Sequence, residues 1–264
     1  MKGLIAAGGQ GTRLGELTRV TNKHMLPVAD LPMIYYPLQT LSLGGISKIM
    51  IVTGKDHAGD FVNLLGSGKI DKRFYETDQD RNLFELDLTY KVQTKPQGLA
   101  QVVGMAQDFV SDGEKFAFIL GDNIVENSLD QYFKEFEALP MGSAMVFFSE
   151  VTDPERFGVP RFNQNDEVVE IIEKPGKLNP GPPPSNYAQI GVYLFDSTVF
   201  DLVQRSKPSQ RGEYEITDLI NPYIAKKSLH HRFIKGWWQD VGTIQSLSNV
   251  GQLIAKTGAN NQPN

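Results

Sequence analysis

The chain has 264 residues, 40% hydrophobic and 22% charged, a length that suits one large α/β domain or two small ones. Its formal net charge of −5 argues against sequence-independent nucleic-acid binding, which needs a basic surface. The lack of cysteine excludes disulfides, thiolate metal sites and a cysteine nucleophile. In chain order, Gly3–Ala7 reads as a buried strand that empties into a glycine-rich loop. Met33–Leu43 reads as a helix, Lys48–Thr53 as a second strand and His57–Leu65 as a helix. Lys69–Arg81 is polar and charged and reads as an exposed excursion. Leu86–Gln93 follows as a strand, Leu99–Val110 as a helix, Phe116–Leu120 as a strand, Leu129–Leu139 as a helix and Ala144–Glu150 as a strand. This alternation predicts a Rossmann-like, mostly parallel mixed sheet flanked by helices, an α/β class.

After about residue 150 the pattern changes. Glu167–Glu173 and Tyr187–Phe195 read as strands around a proline-rich loop, Pro175–Pro184. Ile216–Lys226 reads as a helix, Arg232–Lys235 and Trp237–Gln239 as short strands, and Ile244–Ile254 as a last helix. The expectation is one domain over 1–255, a nucleotide-binding half over about 1–150 and a smaller lobe over about 151–255. Residues 256–264 read as a polar, frayed tail. No apolar run approaches the ~18 residues of a membrane helix, and Leu4–Ala7 is too short for a signal peptide, so a cytoplasmic protein is expected. A homo-oligomer is compatible with the chain. His24, His57, His230 and His231 form no HExxH pattern, so no zinc site is expected.

The loop after the first strand carries Gly8, Gly9 and Gly11, whose bare amides can form a nest around phosphate oxygens. Leu14 stands where a dinucleotide fingerprint needs its third glycine, and no Walker sequence occurs. Arg13 and Lys23 flank the nest, and two cations beside it can hold a triphosphate. Three acidic motifs fall at strand ends, where α/β sheets bind ligands: Gly121-Asp122-Asn123, Glu173-Lys174-Pro175 and Asp240-Val241-Gly242. Taken singly, Asp122 also suits a turn, Asp240 a helix cap, and Lys174 a surface ion pair with Glu173.

Gly8-Gly9-Gln10-Gly11-Thr12-Arg13-Leu14, Asn22-Lys23-His24-Met25-Leu26-Pro27, Gly98-Leu99-Ala100-Gln101, Asp153-Pro154-Glu155-Arg156-Phe157-Gly158 and Trp238-Gln239-Asp240-Val241-Gly242-Thr243 run in order along the chain. Together with Glu173-Lys174-Pro175 and Arg211-Gly212-Glu213, they resemble the sugar-phosphate nucleotidyltransferases. The likeness is greatest to members that act on dTTP and glucose 1-phosphate. The resemblance implies transfer of a nucleotidyl group to a sugar 1-phosphate with release of pyrophosphate, using Mg2+. It implies that Gly8, Gly9, Gly11, Thr12, Arg13 and Lys23 hold the triphosphate, with Arg13, Lys23 and Lys174 as the catalytic cations. It implies that Gln93 and Gly98 read the pyrimidine, that Asp122 and Asp240 bind the metal, and that Gly158, Glu173 and Lys174 hold the sugar phosphate. The chemistry suits these residues. A sugar phosphate is largely dianionic at neutral pH, so the reaction needs charge neutralisation and positioning, not a general base.

The family usually has threonine before the glycine of its sugar-contacting strand, and Ile190 stands there instead, which leaves the sugar's identity open. Val241 replaces a usual threonine beside the metal acid, and Lys69–Arg81 looks like an insertion. Longer relatives carry a C-terminal segment tied to feedback control, so no such site is expected here. UTP or another nucleotide is the main alternative to dTTP. A glycosyltransferase would use an acid pair such as Asp78-Gln79-Asp80, and a non-catalytic sensor should lack Arg13 or a metal acid.

Overall fold

The computed structural model describes residues 1–69 and 85–262, and most of Lys69–Arg81, with Asp78 to Asp80, lies outside them. Among the described residues the strands are β1 (Lys2–Ala7), β2 (Pro27–Val28), β3 (Leu31–Pro32), β4 (Lys48–Gly54), β5 (Asp87–Gln93), β6 (Lys115–Leu120), β7 (Asn123–Val125), β8 (Ala144–Glu150), β9 (Gly158–Phe162), β10 (Val168–Glu173), β11 (Tyr187–Asp196), β12 (Leu229–Phe233) and β13 (Trp238–Asp240). The α-helices are α1 (Tyr35–Leu43), α2 (Ala58–Leu65), α3 (Leu99–Met105), α4 (Asp130–Ala138), α5 (Val199–Arg205), α6 (Ile216–Ala225) and α7 (Ile244–Thr257).

Seven strands form one sheet in the order β12-β8-β11-β6-β1-β4-β5. β1 runs parallel to β4 and β6, β4 to β5, and β8 to β12. β11 runs antiparallel between β6 and β8. The mostly parallel mixed sheet read from the sequence is therefore the one observed. The central strands are apolar without interruption because both faces are covered. On β1, β4 and β6, Ile5, Ile49, Ile51 and Ile119 face one core with α1, α2 and α4. Their neighbours Leu4, Met50, Val52, Phe116 and Phe118 face a second core with α3, α5 and α6. A smaller core joins Tyr36 of α1, Ile124 of β7 and Val250 of α7.

The antiparallel hairpin of β9 and β10 lies outside the main sheet. Its β10 is docked by Asn221 of α6, whose amide accepts from the Ile171 N–H at 2.9 Å and donates to the Ile171 carbonyl at 3.1 Å. β7, β9 and α5 were not legible as elements: β7 has three residues, β9 contains Pro160, and α5 is a seven-residue helix. The tail needs correction. α7 continues to Thr257, and Asn260 is buried, donating to the Tyr36 carbonyl and accepting from the Thr40 hydroxyl. A polar residue is ordered there because it satisfies hydrogen-bonding groups on buried α1. Among the described residues, no helix is long and apolar enough to cross a membrane.

Candidate active site

β1 ends at Ala7, and the chain turns at once through the glycines. A side chain on Gly8 would come within 2.9 Å of Gln93 Oε1 and 3.2 Å of the Gly54 N–H nitrogen, so only glycine lets the loop lie against the ends of β4 and β5. Gly11 has φ +64°, the left-handed conformation that favours glycine. A 3-10 segment, Thr12–Thr18, follows and carries Arg13 back over Gly242. Lys23 opens a second 3-10 turn, capped by Asn22, and its side chain runs beneath Gly9 and Gly11 to Asp122. Gly8, Gly9, Lys23, Gln93, Gly98 and Asp122 line a pocket of about 220 Å³.

Gln93 is buried and donates its amide to Gln101 at 2.6 Å, while Gln101 is held in turn by Gln97. This fixes the Gln93 carbonyl toward the glycine loop. Gly98 has φ +102°, and a Cβ there would strike the Tyr214 carbonyl at 2.4 Å. Its bare backbone therefore lets the α3 entrance lie against the Tyr214 segment, where Tyr214 N–H donates to Gln97 and Ala100 N–H to Tyr214.

The two aspartates come together through strand pairing. β13 runs antiparallel to β7 with Asp240 opposite Asn123, and the Val241 N–H donates to the Asp122 carbonyl at 2.8 Å. Asp240 does not cap α7; Thr243 does, in a reciprocal capping box with Ser246. Burial alone would raise the Asp122 carboxyl, but the Lys23 ammonium together with His24 and the Asn123 amide holds it well below the usual carboxylate range. Asp240 is pushed up to about 6, first by burial and then by the charge of Asp122. A hard divalent cation suits two such carboxylates. It would relieve their repulsion, and magnesium takes one or two protein carboxylates and completes its shell with phosphate and water. His24 is buried behind them with its pKa lowered to about 3, by burial and then by Lys23, so it stays neutral.

Beyond the aspartates the cleft widens to about 740 Å³. Its walls include Thr12, Arg13, Gly158, Glu173, Lys174 and Trp238. Burial raises the Glu173 carboxyl despite Lys174, whose Nζ lies 3.5 Å away. Lys174 has φ +43°, a conformation costly for a side-chain-bearing residue and common where a site over-determines the backbone. Arg13 has no carboxylate within ion-pair distance among the described residues, so its charge faces the cleft unpaired.

Every residue singled out in the sequence for triphosphate, metal or sugar phosphate lies on the 220 Å³ pocket, the 740 Å³ cleft or, for Gly11, the loop between them; Asp122 borders both spaces. Sequence reasoning left several wall residues unassigned. Asn123 accepts from Trp238 Nε1 and the Gly191 N–H, and donates to Asp122, which ties Asp122 to β11. Arg156 reaches Asp240 at 3.5 Å, and Arg211 is held by Glu215. Arg156 and Arg211 lay inside quoted motifs, and Asn123 beside Asp122, which was the available signal. Ile190, the departure from the usual threonine, is fully buried in the core, so its side chain does not enter the cleft.

Comparison with known proteins agrees with this architecture. Residues 2–257 match the family model described as nucleotidyl transferase. The chain is 39% identical over 96% of its length to glucose-1-phosphate thymidylyltransferase of Neisseria meningitidis, covering 82% of that protein. It is 41% identical, again over 96%, to the protein of the same name from Xanthomonas campestris, covering 80% of it. A crystal structure of a putative glucose-1-phosphate thymidylyltransferase from Bacillus anthracis aligns with TM-score 0.83 and 44% identity, covering 96% of this chain and 94% of that one. A UDP-glucose pyrophosphorylase bound to UDP-glucose aligns with TM-score 0.83 and 25% identity, covering 97% of this chain and 98% of that one. A sheet whose first strand ends in a glycine-rich loop, two aspartates on one cleft and a match over nearly the whole length together make this chain a member of the nucleotidyl transferase family of enzymes.

Proposed function

We propose that the cleft transfers the thymidylyl group of dTTP to glucose 1-phosphate, releasing pyrophosphate and forming dTDP-glucose. The observation that carries the reading is that Asp122 and Asp240 line one cleft with the cations Arg13 and Lys174, with Lys23 paired to Asp122. Two anions must meet there, and these cations offset their repulsion. The names of the relatives supply the substrates.

The glycine amides, Thr12, Arg13 and Lys23 hold the triphosphate. Gln93, fixed by Gln101, presents its carbonyl and remaining N–H to the imide edge of the base, with Gly98 beside it. Gly158 and Glu173 take sugar hydroxyls. Lys174 orients the sugar phosphate so that its oxygen approaches the α-phosphorus in line with the departing pyrophosphate. Asp122 and Asp240 would hold Mg2+, which would supply charge neutralisation for the reacting phosphates. A second reading, UTP in place of dTTP, is favoured by the UDP-glucose pyrophosphorylase likeness, because uracil offers the same pairing edge as thymine.

The test is pyrophosphate release from glucose 1-phosphate, Mg2+ and each nucleoside triphosphate in turn. The highest kcat/KM is expected with dTTP. Equal or better use of UTP selects the second reading, and no release with any nucleotide contradicts both.

A further inference from the structure

Gln189 is 5% exposed, and neither its Oε1 nor its Nε2 has a hydrogen-bond partner in the protein. A buried primary amide left in this state is costly, and folded proteins retain few. This one borders the 740 Å³ cleft with Gly158, Glu173 and Lys174. The surrounding chain holds it there. β11 pairs Gln189 with Phe148 but Tyr193 with Val146, so two extra residues bulge from β11 in between. Bulges of this kind re-aim side chains beside sites. Past Gln189, the Ile190 side chain turns into the core and Gly191 presents bare backbone, where a Cβ would lie 2.6 Å from Leu120. Gly158 lies against the amide, where a side chain would come within 3.1 Å of Gln189 Oε1. The glycine puts no side chain on that oxygen, which is buried and unpartnered.

We propose that Gln189 is a specificity-determining residue that reads ring hydroxyls of the sugar substrate. Its Oε1 accepts from one hydroxyl, and its Nε2 donates to the same or the adjacent one. A neutral group with both a donor and an acceptor matches a hydroxyl, whereas the phosphate is served by the cations Lys174, Lys177, Arg156 and Arg211 on the same cleft. The inference rests on the sugar-phosphate reading above and extends it. A site built to hydrogen-bond a hydroxyl discriminates strongly against an analogue that lacks it.

The test compares the wild-type enzyme with Gln189→Leu on glucose 1-phosphate and its 2-, 3-, 4- and 6-deoxy analogues, with dTTP and Mg2+. The leucine variant is expected to raise KM for glucose 1-phosphate about 10- to 100-fold, with KM for dTTP unchanged and Tm not lowered. Wild type should penalise the loss of one hydroxyl, or of two adjacent ones, and Gln189→Leu should lose that penalty while keeping the others. Gln189→Asn, which keeps the amide on a shorter arm, should recover part of the discrimination. Identical penalties in wild type and Gln189→Leu overturn the inference and leave the activity standing. A lowered Tm with unchanged sugar KM makes Gln189 structural and overturns it too. No pyrophosphate from any sugar phosphate with wild type contradicts the activity, and this inference with it.

Discussion

At the proposed nucleotide end of the cleft Arg13 is unpaired, but Lys23, Gln93 and His24 are already paired, with Asp122, Gln101 and Asn22. At the sugar end Gln189 has no partner, Lys174 holds a left-handed backbone, and its ammonium reaches Glu173 only at 3.5 Å. The first end is organised by contacts within the chain. The second holds groups whose hydrogen-bonding capacity is unspent. The difference teaches that triphosphate binding should depend on a prebuilt frame, whereas sugar selection should depend on contacts completed only by the substrate.

The largest expected effect lies where the two ends meet. Asp122→Asn or Asp240→Asn should lower kcat/KM about a thousand-fold, about 4 kcal/mol in the barrier. Pyrophosphate release measures it, with circular dichroism as the check on folding. Near wild-type rates in both variants would remove the metal from this junction. His24 gives a stability effect on the order of 5 kcal/mol, set by the gap between its folded pKa of about 3 and the ordinary 6.5. The folded state binds fewer protons than the unfolded one, so this stability is present above pH 6.5 and lost as the pH falls toward 3. Denaturant melts across that range should show the slope, and His24→Gln should flatten it; an unchanged slope would show that the frame does not rest on a neutral imidazole.

Lys174→Ala comes next and divides the ends. It should lower kcat/KM for glucose 1-phosphate about a hundred-fold, with KM for dTTP nearly unmoved. Equal losses for both substrates would mean that the ends are not separable. The smallest effect is expected from Gln101→Ala, which frees Gln93: KM for dTTP should rise a few-fold and KM for the sugar phosphate should not change.

Much of this frame is legible in the sequence because it is local. The glycine loop, Arg13 and Lys23 lie within one short stretch, and the unbroken apolar runs of β1, β4, β6 and β8 mark strands covered on both faces. The remainder depends on distant pairing. Nothing in the composition of β11 says that it inserts antiparallel between β6 and β8, yet that register places Gln189 on the cleft and Ile190 in the core. The pairing of β13 with β7 that sets Asp240 beside Asp122 joins two three-residue strands too short for a periodic signal. Asn260 looked like part of a loose polar tail because only the folded state shows the groups on α1 that it satisfies.

The central claim is that Asp122 and Asp240, brought side by side from remote segments, hold one divalent ion where two anions meet. The most direct measurement is Mn2+ binding, followed by electron paramagnetic resonance, in the presence of a non-hydrolysable dTTP analogue. One tight protein-dependent site is expected in wild type, weakened at least ten-fold in both Asp122→Asn and Asp240→Asn. A tight site that survives in both variants would contradict the account.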